Sequence, residues 1–380
     1  DLLAALTSSQ LAALGSEQVQ VLSSTQLRGL GTAQLAALGS DDLNQFSTAQ
    51  FAALTTRQIA GLGTDQLSNL DTENLAALTT QQLRGMETRD IAALDSADIR
   101  ALSAAQISAF TSTQLRAIGT EEMSGISTSV LASLASAQLG QLTSSQLAGL
   151  SSDQLQALTT RQLAGLGSAM LGSLGTDDLR VLTSEQFQSL STARLAGLTD
   201  DQLGSLGSEH FQLLTSTQLR GLTTQQLNAL ATEDLNTLTS EQFRQLTSVQ
   251  IAGLGSDQIA ALTSDDLSAL TSGQLRAIEV RDLAGLDSAD LRALQAAQVA
   301  GFTSAQLRAL GTDDLTGLTT DAIRALAASQ IAALATNQLS ALLSDQLQAL
   351  TSVQLRALTS VQIAALETDA LNTLLADQIS

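Results

Sequence analysis

Few side chains in this chain of 380 residues could carry out chemistry. It contains no Cys, Lys, Tyr or Trp, and it has a single histidine, His210. A metal site built on His210 would need a second His or a Cys as ligand, and a general base would need a distinct nucleophile beside it. The sequence offers neither, so we interpret His210 as a substituted surface glutamine.

Acidic pairs are the second candidate for chemistry. Calcium sites need about six to eight oxygen ligands, and the glycine-rich nonapeptide of calcium-binding β-rolls is absent. The recurrent GLGT and GLGS segments are not phosphate loops, because the chain has no lysine. We therefore predict no catalytic residue, no cofactor-binding residue, no metal ligand and no cofactor, and we expect that the protein is not an enzyme. The pairs are Asp41/Asp42, Glu121/Glu122, Asp177/Asp178, Asp265/Asp266 and Asp313/Asp314.

An eight-residue repeat organises the whole chain. Cut from Leu3, the sequence falls into 47 octapeptides with positions a to h, and every a and d residue is Leu, Ile, Val, Phe or Met. The pattern has no interruption that would mark a linker, and the chain begins and ends inside an octad. It predicts a single repeat domain over residues 1–380, cut from a longer array.

The period of eight limits the possible secondary structure. Eight residues overshoot two helical turns by roughly 80°, so the apolar stripe of one continuous helix would spiral around its surface. Positions a and d have opposite parity and would face opposite sides of a strand. Because LAAL, LRAL and LQAL are helix-forming, we predict an all-α solenoid or superhelix of very short helices, one per octad. A β-solenoid is the alternative, supported by the Ser/Thr columns.

The other positions explain how a helix could restart in each octad. Position e is Thr, Gly, Ser or Asp in 37 octads and position h is mostly Gln, which together form a capping box such as Thr7 to Gln10. Position f is nearly always Ser or Thr, so f could instead be the cap, with Gly at e ending the previous helix in a left-handed turn. Small residues at c allow close helix packing. Weak caps predict local opening at Glu279 and Val280 and at Leu343.

Composition restricts the partners. A 44% hydrophobic content favours folding over disorder, whereas polar positions in every octad keep apolar runs too short to span a bilayer. The net charge of −20 argues against nucleic acid as a partner. All seven Phe occupy a or d and are interpreted as core residues.

Written as L-x-x-L-[TSG]-[ST]-x-Q, the octad resembles the LTTxQ-type octapeptide arrays of large secreted or surface proteins of Gram-negative bacteria. The resemblance covers all 47 octads. It implies a structural, adhesive or matrix role in an extracellular or cell-surface location, and it carries over no site residues. Absence of Cys is common in large secreted bacterial proteins.

Two functions follow as hypotheses. The first is a stalk or self-assembling filament, with self-association into a homopolymer favoured by open ends that lack capping octads. The second is an adhesin-like scaffold that presents a long repetitive surface to a protein or glycan partner. A Ser/Thr ladder that binds ice or mineral is a third, weaker interpretation.

Overall fold

The computed structural model describes residues 3–366 together with Leu374, and the regular secondary structure of these residues is helical. The all-α prediction of one very short helix per octad is therefore confirmed, and no strand occurs in this range to support the β-solenoid alternative. The chain divides into two compact units, Asp1–Leu190 and Ser191–Ser380. The single repeat domain over 1–380 stays a prediction.

The first unit consists of consecutive helices of three to six residues joined by short extended segments. Its 3-10 helices are Leu3–Ala5 and Glu122–Gly125. Its α-helices are α1 Ser8–Ala12, α2 Ser16–Gln20, α3 Ser24–Arg28, α4 Thr32–Ala36, α5 Ser40–Leu43, α6 Thr48–Ala53, α7 Thr56–Ala60, α8 Thr64–Ser68, α9 Thr72–Ala76, α10 Thr80–Gly85, α11 Thr88–Ile91, α12 Ser96–Ala101, α13 Ala104–Ala109, α14 Ser112–Ala117, α15 Thr128–Ser133, α16 Ser136–Leu139, α17 Ser144–Ala148, α18 Ser152–Gln156, α19 Thr160–Leu163, α20 Ser168–Leu171, α21 Thr176–Arg180 and α22 Ser184–Gln188.

The second unit is built in the same way. Its 3-10 helix is Asp282–Gly285. Its α-helices are α23 Thr192–Leu195, α24 Asp200–Gly204, α25 Ser208–Leu213, α26 Ser216–Gly221, α27 Thr224–Asn228, α28 Thr232–Leu235, α29 Ser240–Gln245, α30 Ser248–Ala252, α31 Ser256–Ala260, α32 Ser264–Ala269, α33 Ser272–Ala277, α34 Ser288–Ala293, α35 Ala296–Val299, α36 Ser304–Ala309, α37 Thr312–Leu315, α38 Thr320–Ala325, α39 Ala328–Ala332, α40 Thr336–Ser340, α41 Ser344–Ala349, α42 Ser352–Arg356 and α43 Ser360–Ala364.

The helix cap lies at position e. In α7 the Thr55 hydroxyl accepts a hydrogen bond from the backbone N–H of Gln58 (3.2 Å), and Gln58 Oε1 accepts one from the backbone N–H of Thr55 (2.8 Å). This reciprocal pair satisfies two amides that a helix start leaves without partners. Where e is glycine, there is no side-chain oxygen to accept a bond, and only the bond from the e N–H to the glutamine remains. Gly63 N–H donates to Gln66 Oε1 at 2.8 Å.

The other sequence-based frame, with f as the cap, is wrong. Glycine at e has extended backbone, as at Gly63 with φ −73° and ψ 154°, and no described residue has a positive φ. Position f is instead the first helical residue, as Thr64 is in α8. Each α-helix therefore runs from f to the next a residue and ends at a, b or c, which places a in its last turn.

The core of each unit is formed by the a and d side chains. Between Leu27 and Leu350, residues at a are almost completely buried and those at d are only slightly more exposed, as Ile59 at 0% and Leu62 at 2% illustrate. Nearer the end of the described range, Ile363 at a is 44% exposed. The interpretation of phenylalanine as core is confirmed by Phe51 and Phe243, whose side chains are fully buried. Removal of two large apolar side chains per octad from water provides the main stabilising term, because helices this short do not persist alone.

Helices three places apart in the chain pack against each other within each unit. α10 packs on α7, α13 packs on α10, and α33 packs on α30. The chain therefore returns over itself after three helices, and the interior between successive turns is filled by residues a and d.

The two segments with weak predicted caps differ from each other in structure. Where Glu279 and Val280 replace the usual e and f residues, the following element is the 3-10 helix Asp282–Gly285 rather than an α-helix. At Leu343 the α-helix α41 still forms, because Gln346 Oε1 accepts the Leu343 N–H at 2.9 Å without any cap hydroxyl. Local opening at these segments stays a prediction.

Candidate functional site

The most regular polar feature of the chain is the glutamine at position h, which links successive turns. In α10, Gln82 Oε1 accepts the Thr79 N–H at 2.6 Å as part of the capping box. Its amide Nε2 donates to the carbonyl oxygens of Phe51 (2.9 Å) and Leu54 (2.7 Å), which belong to the fourth helix back and its exit. Gln82 is only 2% exposed. A single buried side chain thus closes its own helix cap and binds an earlier turn.

We call this arrangement the glutamine clamp, defined by a bond from Oε1 to the e N–H and bonds from Nε2 to a and d carbonyls four helices back. Both carbonyl bonds and the cap bond recur at Gln58, Gln114 and Gln154 in the first unit. The same bonds recur at Gln226 and Gln250 in the second unit. Since helices pack on the third helix back and clamp the fourth, each turn contains three to four octads.

Positions c and f form the close contact between helices three places apart. A Cβ placed on Gly61 at c would lie 2.8 Å from Thr32 Cβ at f of the third helix back. The same contact occurs between Gly253 and Thr224. Steric exclusion therefore explains why both columns contain small residues, and the regularity of Ser and Thr at f arises from packing rather than from capping.

Side chains at b donate hydrogen bonds to the c carbonyl of the third helix onward. Arg220 Nε donates to the Gln245 carbonyl oxygen at 2.9 Å, and its Nη2 donates to Gln245 Oε1 at 2.6 Å. Shorter side chains make the same backbone contact, as Asn228 Nδ2 does to the Gly253 carbonyl at 3.0 Å. The arginine row at b thus faces solvent and also joins neighbouring turns.

Aspartate at h changes the clamp, because its side chain is one methylene shorter and has no donor when ionised. Asp90 still accepts the Glu87 N–H at 3.1 Å, but its other oxygen accepts the Thr64 hydroxyl at 2.7 Å from the third helix back. Asp290 makes the corresponding contacts with the Asp287 N–H and the Ser264 hydroxyl. Asp90 and Asp290 therefore contact the third helix back, and an ionised Asp at h supplies no donor to the fourth.

Two of these aspartates lie in duplicated sequence. Residues 83–106 and 275–298 align over three octads at a separation of 192 residues, and each copy contains Leu-Asp-Ser-Ala-Asp, ending at Asp98 and at Asp290. Burial raises the pKa of Asp98, an effect opposed by the Asp95 N–H bond and increased by the Asp95 charge. Burial also raises the pKa of Asp290, with opposing bonds from the Asp287 backbone and Ser264 and further increases from the charges of Asp287 and Asp314.

His210 does not lie on the surface. Its side chain is about 5% exposed in α25, so the interpretation as a substituted surface glutamine is wrong about exposure. The cause is that most of the h column faces inward, where its glutamines reach carbonyls of earlier turns. His210 Nδ1 lies 3.5 Å from Glu209 Oε1, which is exposed.

The four aspartate pairs occupy the first turn of their α-helices, as expected from the helix dipole, whereas Glu121 is the N-cap of the 3-10 helix Glu122–Gly125. Asp265 is exposed at g, whereas Asp266 is buried at h and accepts the Thr263 hydroxyl at 2.6 Å. In residues 3–366 no three His, Cys, Asp or Glu side chains are grouped so that they could hold a metal ion. No helix in that range is long and apolar enough to cross a membrane.

Shallow open grooves recur between an octad and the octad three further on. Each groove is lined by positions b, d, e and f of the first octad and by e, g and h of the later one. Their charges differ, because one contains Arg28 and Arg57 and another contains Asp71 and Glu73. The lining segments are 28–32 with 55–58, 44–48 with 71–74, 132–137 with 159–162, and 228–232 with 255–258.

Together, the capped helices, the clamps and the repeated grooves define an α-helical tandem-repeat protein. The chain belongs to the ALTTAQ repeat family, whose sequence model matches more than half of it. The matched segments are residues 35–72, 91–128, 131–168, 155–192, 171–208, 228–264 and 283–320.

Other comparisons add little. No curated protein matches the chain. A solved structure entitled "Structure of APUM23-GGAAUUGACGG" is 11% identical, with 96% of this chain and 90% of that chain covered and a TM-score of 0.22. A TM-score this low carries no argument about fold or function.

Sequence reasoning missed the inward role of position h. Either Gln or Glu completes a capping box, yet Gln is by far the commonest residue in this column and Glu122 is its one glutamate. That preference for an uncharged donor was the available signal, since only the amide nitrogen can donate to the carbonyls of the earlier turn.

Proposed function

We propose that this chain is a structural repeat protein that acts as a stalk or as the subunit of a self-assembling filament or matrix fibre. The glutamine clamp is the observation that supports this proposal best. It places the same three hydrogen bonds in many octads of each unit, so resistance to bending and pulling would be distributed over many octads. The buried polar side chains form hydrogen bonds between turns, as Gln82 and Gln250 illustrate.

An extracellular or cell-surface location belongs to the same proposal. It rests on the resemblance to octapeptide arrays of Gram-negative surface proteins and on the absence of Cys. Protease treatment of intact cells that express the chain in its native context tests it. Loss of the protein from intact cells is expected, whereas protection until lysis would contradict this location.

Assembly is tested on the purified chain. Sedimentation velocity and negative-stain electron microscopy over a range of protein concentrations should show species that lengthen or associate laterally as concentration rises. A monomer of constant size at all concentrations would contradict self-association. If that monomer is elongated, the proposal of a stalk still stands. A compact particle would contradict both.

A binding scaffold is the second candidate, and the recurrent grooves favour it. Each combines side chains at b and g with cap residues at e, a polar lining suited to hydroxyl-rich ligands such as glycans. Screening the chain against a glycan array tests this candidate. Binding that is lost in Asn44→Ala and Asn228→Ala, which line two grooves, supports it, and no binding above background contradicts it.

A further inference from the structure

The glutamine clamp is replaced at equivalent places in the two units. Asp98 in α12 and Asp290 in α34 occupy position h within the duplicated segments 83–106 and 275–298. Each accepts its own cap N–H, from Asp95 at 3.2 Å and from Asp287 at 3.1 Å. An ionised carboxylate has no donor, so neither side chain can bind a carbonyl of the fourth helix back as Gln82 does.

The surroundings of Asp290 are acidic on both sides. α34 packs on α32 and on α37. α32 carries Asp265 and Asp266, and α37 carries Asp313 and Asp314. Of the acidic groups, Asp314 and the cap residue Asp287 act on the Asp290 carboxyl through their charge, and Arg292 lies at the exposed b position of the same helix. The Ser264 hydroxyl of α32 donates to Asp290 at 3.3 Å.

The surroundings of Asp98 follow the same plan. α12 packs on α9 and on the 3-10 helix Glu122–Gly125. α9 carries Glu73, and the 3-10 helix carries Glu122 with Glu121 at its N-cap. On its own helix, Asp95 acts on the Asp98 carboxyl through its charge, and Arg100 lies at the b position. Asp98 is about 5% exposed, so water compensates little of its charge.

We propose that α12 and α34 are acid-strengthened joints, at which the stack of helices is held weakly while the h aspartate is ionised and firmly once it is protonated. Two features carry the inference. The donor to the fourth helix back is missing at both positions, and in its place lies a carboxylate that is buried at Asp98 and half-buried at Asp290, beside the acidic cap residues Asp95 and Asp287. Protonation removes the buried charge and its repulsion and creates an O–H donor.

The direction of the pH effect follows from the pKa values. Burial raises the pKa of both carboxyl groups above the ordinary 3.8. A raised pKa in the folded state means that folded protein binds the proton more tightly than unfolded protein. The stabilising contribution is fully present below the ordinary pKa and is lost as the pH rises through the raised one, so mild acid strengthens the joints.

Hydrogen exchange on the intact chain tests the proposal. Exchange rates, corrected for their intrinsic pH dependence, are measured at about pH 7 and at about pH 3.5, which lies below the ordinary carboxyl pKa. We expect protection of α12 and α34 to rise at least about threefold more than protection of α29, whose clamp is intact. In Asp98→Asn and Asp290→Asn that excess should disappear from the altered joint and persist in the other.

A matched control separates the joints from a general reduction of charge repulsion. Asp257→Asn removes the same charge at an exposed g position of α31, and the excess protection at α34 should persist in it. The proposal is overturned if the excess persists at α34 in Asp290→Asn, or if Asp257→Asn abolishes it equally. If either Asn variant fails to fold, Asp98→Gln and Asp290→Gln, which restore the repeat residue, provide the same readout.

Discussion

Truncation of one glutamine clamp gives the sharpest test of the fold. In Gln82→Ala the Thr79 N–H loses its cap acceptor, a loss of about 1 kcal/mol, and the Leu54 carbonyl, at a residue 4% exposed, loses its donor at about 1 to 2 kcal/mol. The Phe51 carbonyl keeps the bond from the Leu54 N–H at 3.1 Å and contributes less. The expected decrease in the free energy of unfolding is about 3 kcal/mol.

The neighbouring residue supplies the control. Gln81 lies one position earlier in the same helix and is exposed, so Gln81→Ala should change the free energy of unfolding by less than about 0.5 kcal/mol. Urea unfolding followed by far-UV circular dichroism measures both, and hydrogen exchange locates the effect. Protection should fall in α10 and also in α6, about thirty residues earlier. Equal stability of the two variants would refute the clamp as a source of stability.

A charged substitute distinguishes the two halves of the clamp. Gln82→Glu keeps an oxygen for the Thr79 N–H but places a second acceptor against the Phe51 and Leu54 carbonyl oxygens. At neutral pH it should destabilise at least as much as Gln82→Ala, because it buries an unpaired charge. Acidification should restore part of the loss, since a protonated Glu can donate. A pH-independent effect would contradict this geometry.

The remaining predictions concern the other columns. Gly61→Val should cost about 1 to 3 kcal/mol in urea unfolding by overpacking against Thr32, and Thr32→Ala in the same chain should recover part of it. Gly204→Ala, where a Cβ meets no atom within 4 Å, should raise the melting temperature through a gain of about 0.5 kcal/mol, and a loss would contradict the open space. Val130→Gln should stabilise by about 1 kcal/mol by completing a capping box, measured by urea unfolding. Arg220→Ala should cost about 0.5 to 1 kcal/mol, and no loss would show that its bonds to Gln245 are too exposed to contribute.

The helical fold and its caps could be predicted from the sequence because both are local. The period of eight excludes a continuous helix, and Thr at e with Gln at h is a capping signature within four residues. Thr55 and Gln58 bond as that signature predicts. The choice between e and f as cap could not be made, because both columns contain hydroxyl residues and only their contacts distinguish them.

The contacts between turns could not be predicted, because they depend on how many octads make a turn. Nothing within one octad states that Gln82 reaches Phe51 or that Gly61 meets Thr32. The inward orientation of h, and with it the burial of His210, follows from that winding. From the sequence alone, position h is therefore indistinguishable from an exposed polar column.

The clamp has a consequence for how such chains change in length. Its acceptors are main-chain carbonyls, which every octad provides whatever its side chains are. Deletion or duplication of a whole octad shifts each downstream glutamine onto an equivalent pair of carbonyls, whereas gain or loss of a single residue turns the apolar positions away from the interior. Recombination between repeat units in the gene can therefore lengthen or shorten the protein without a new folding problem.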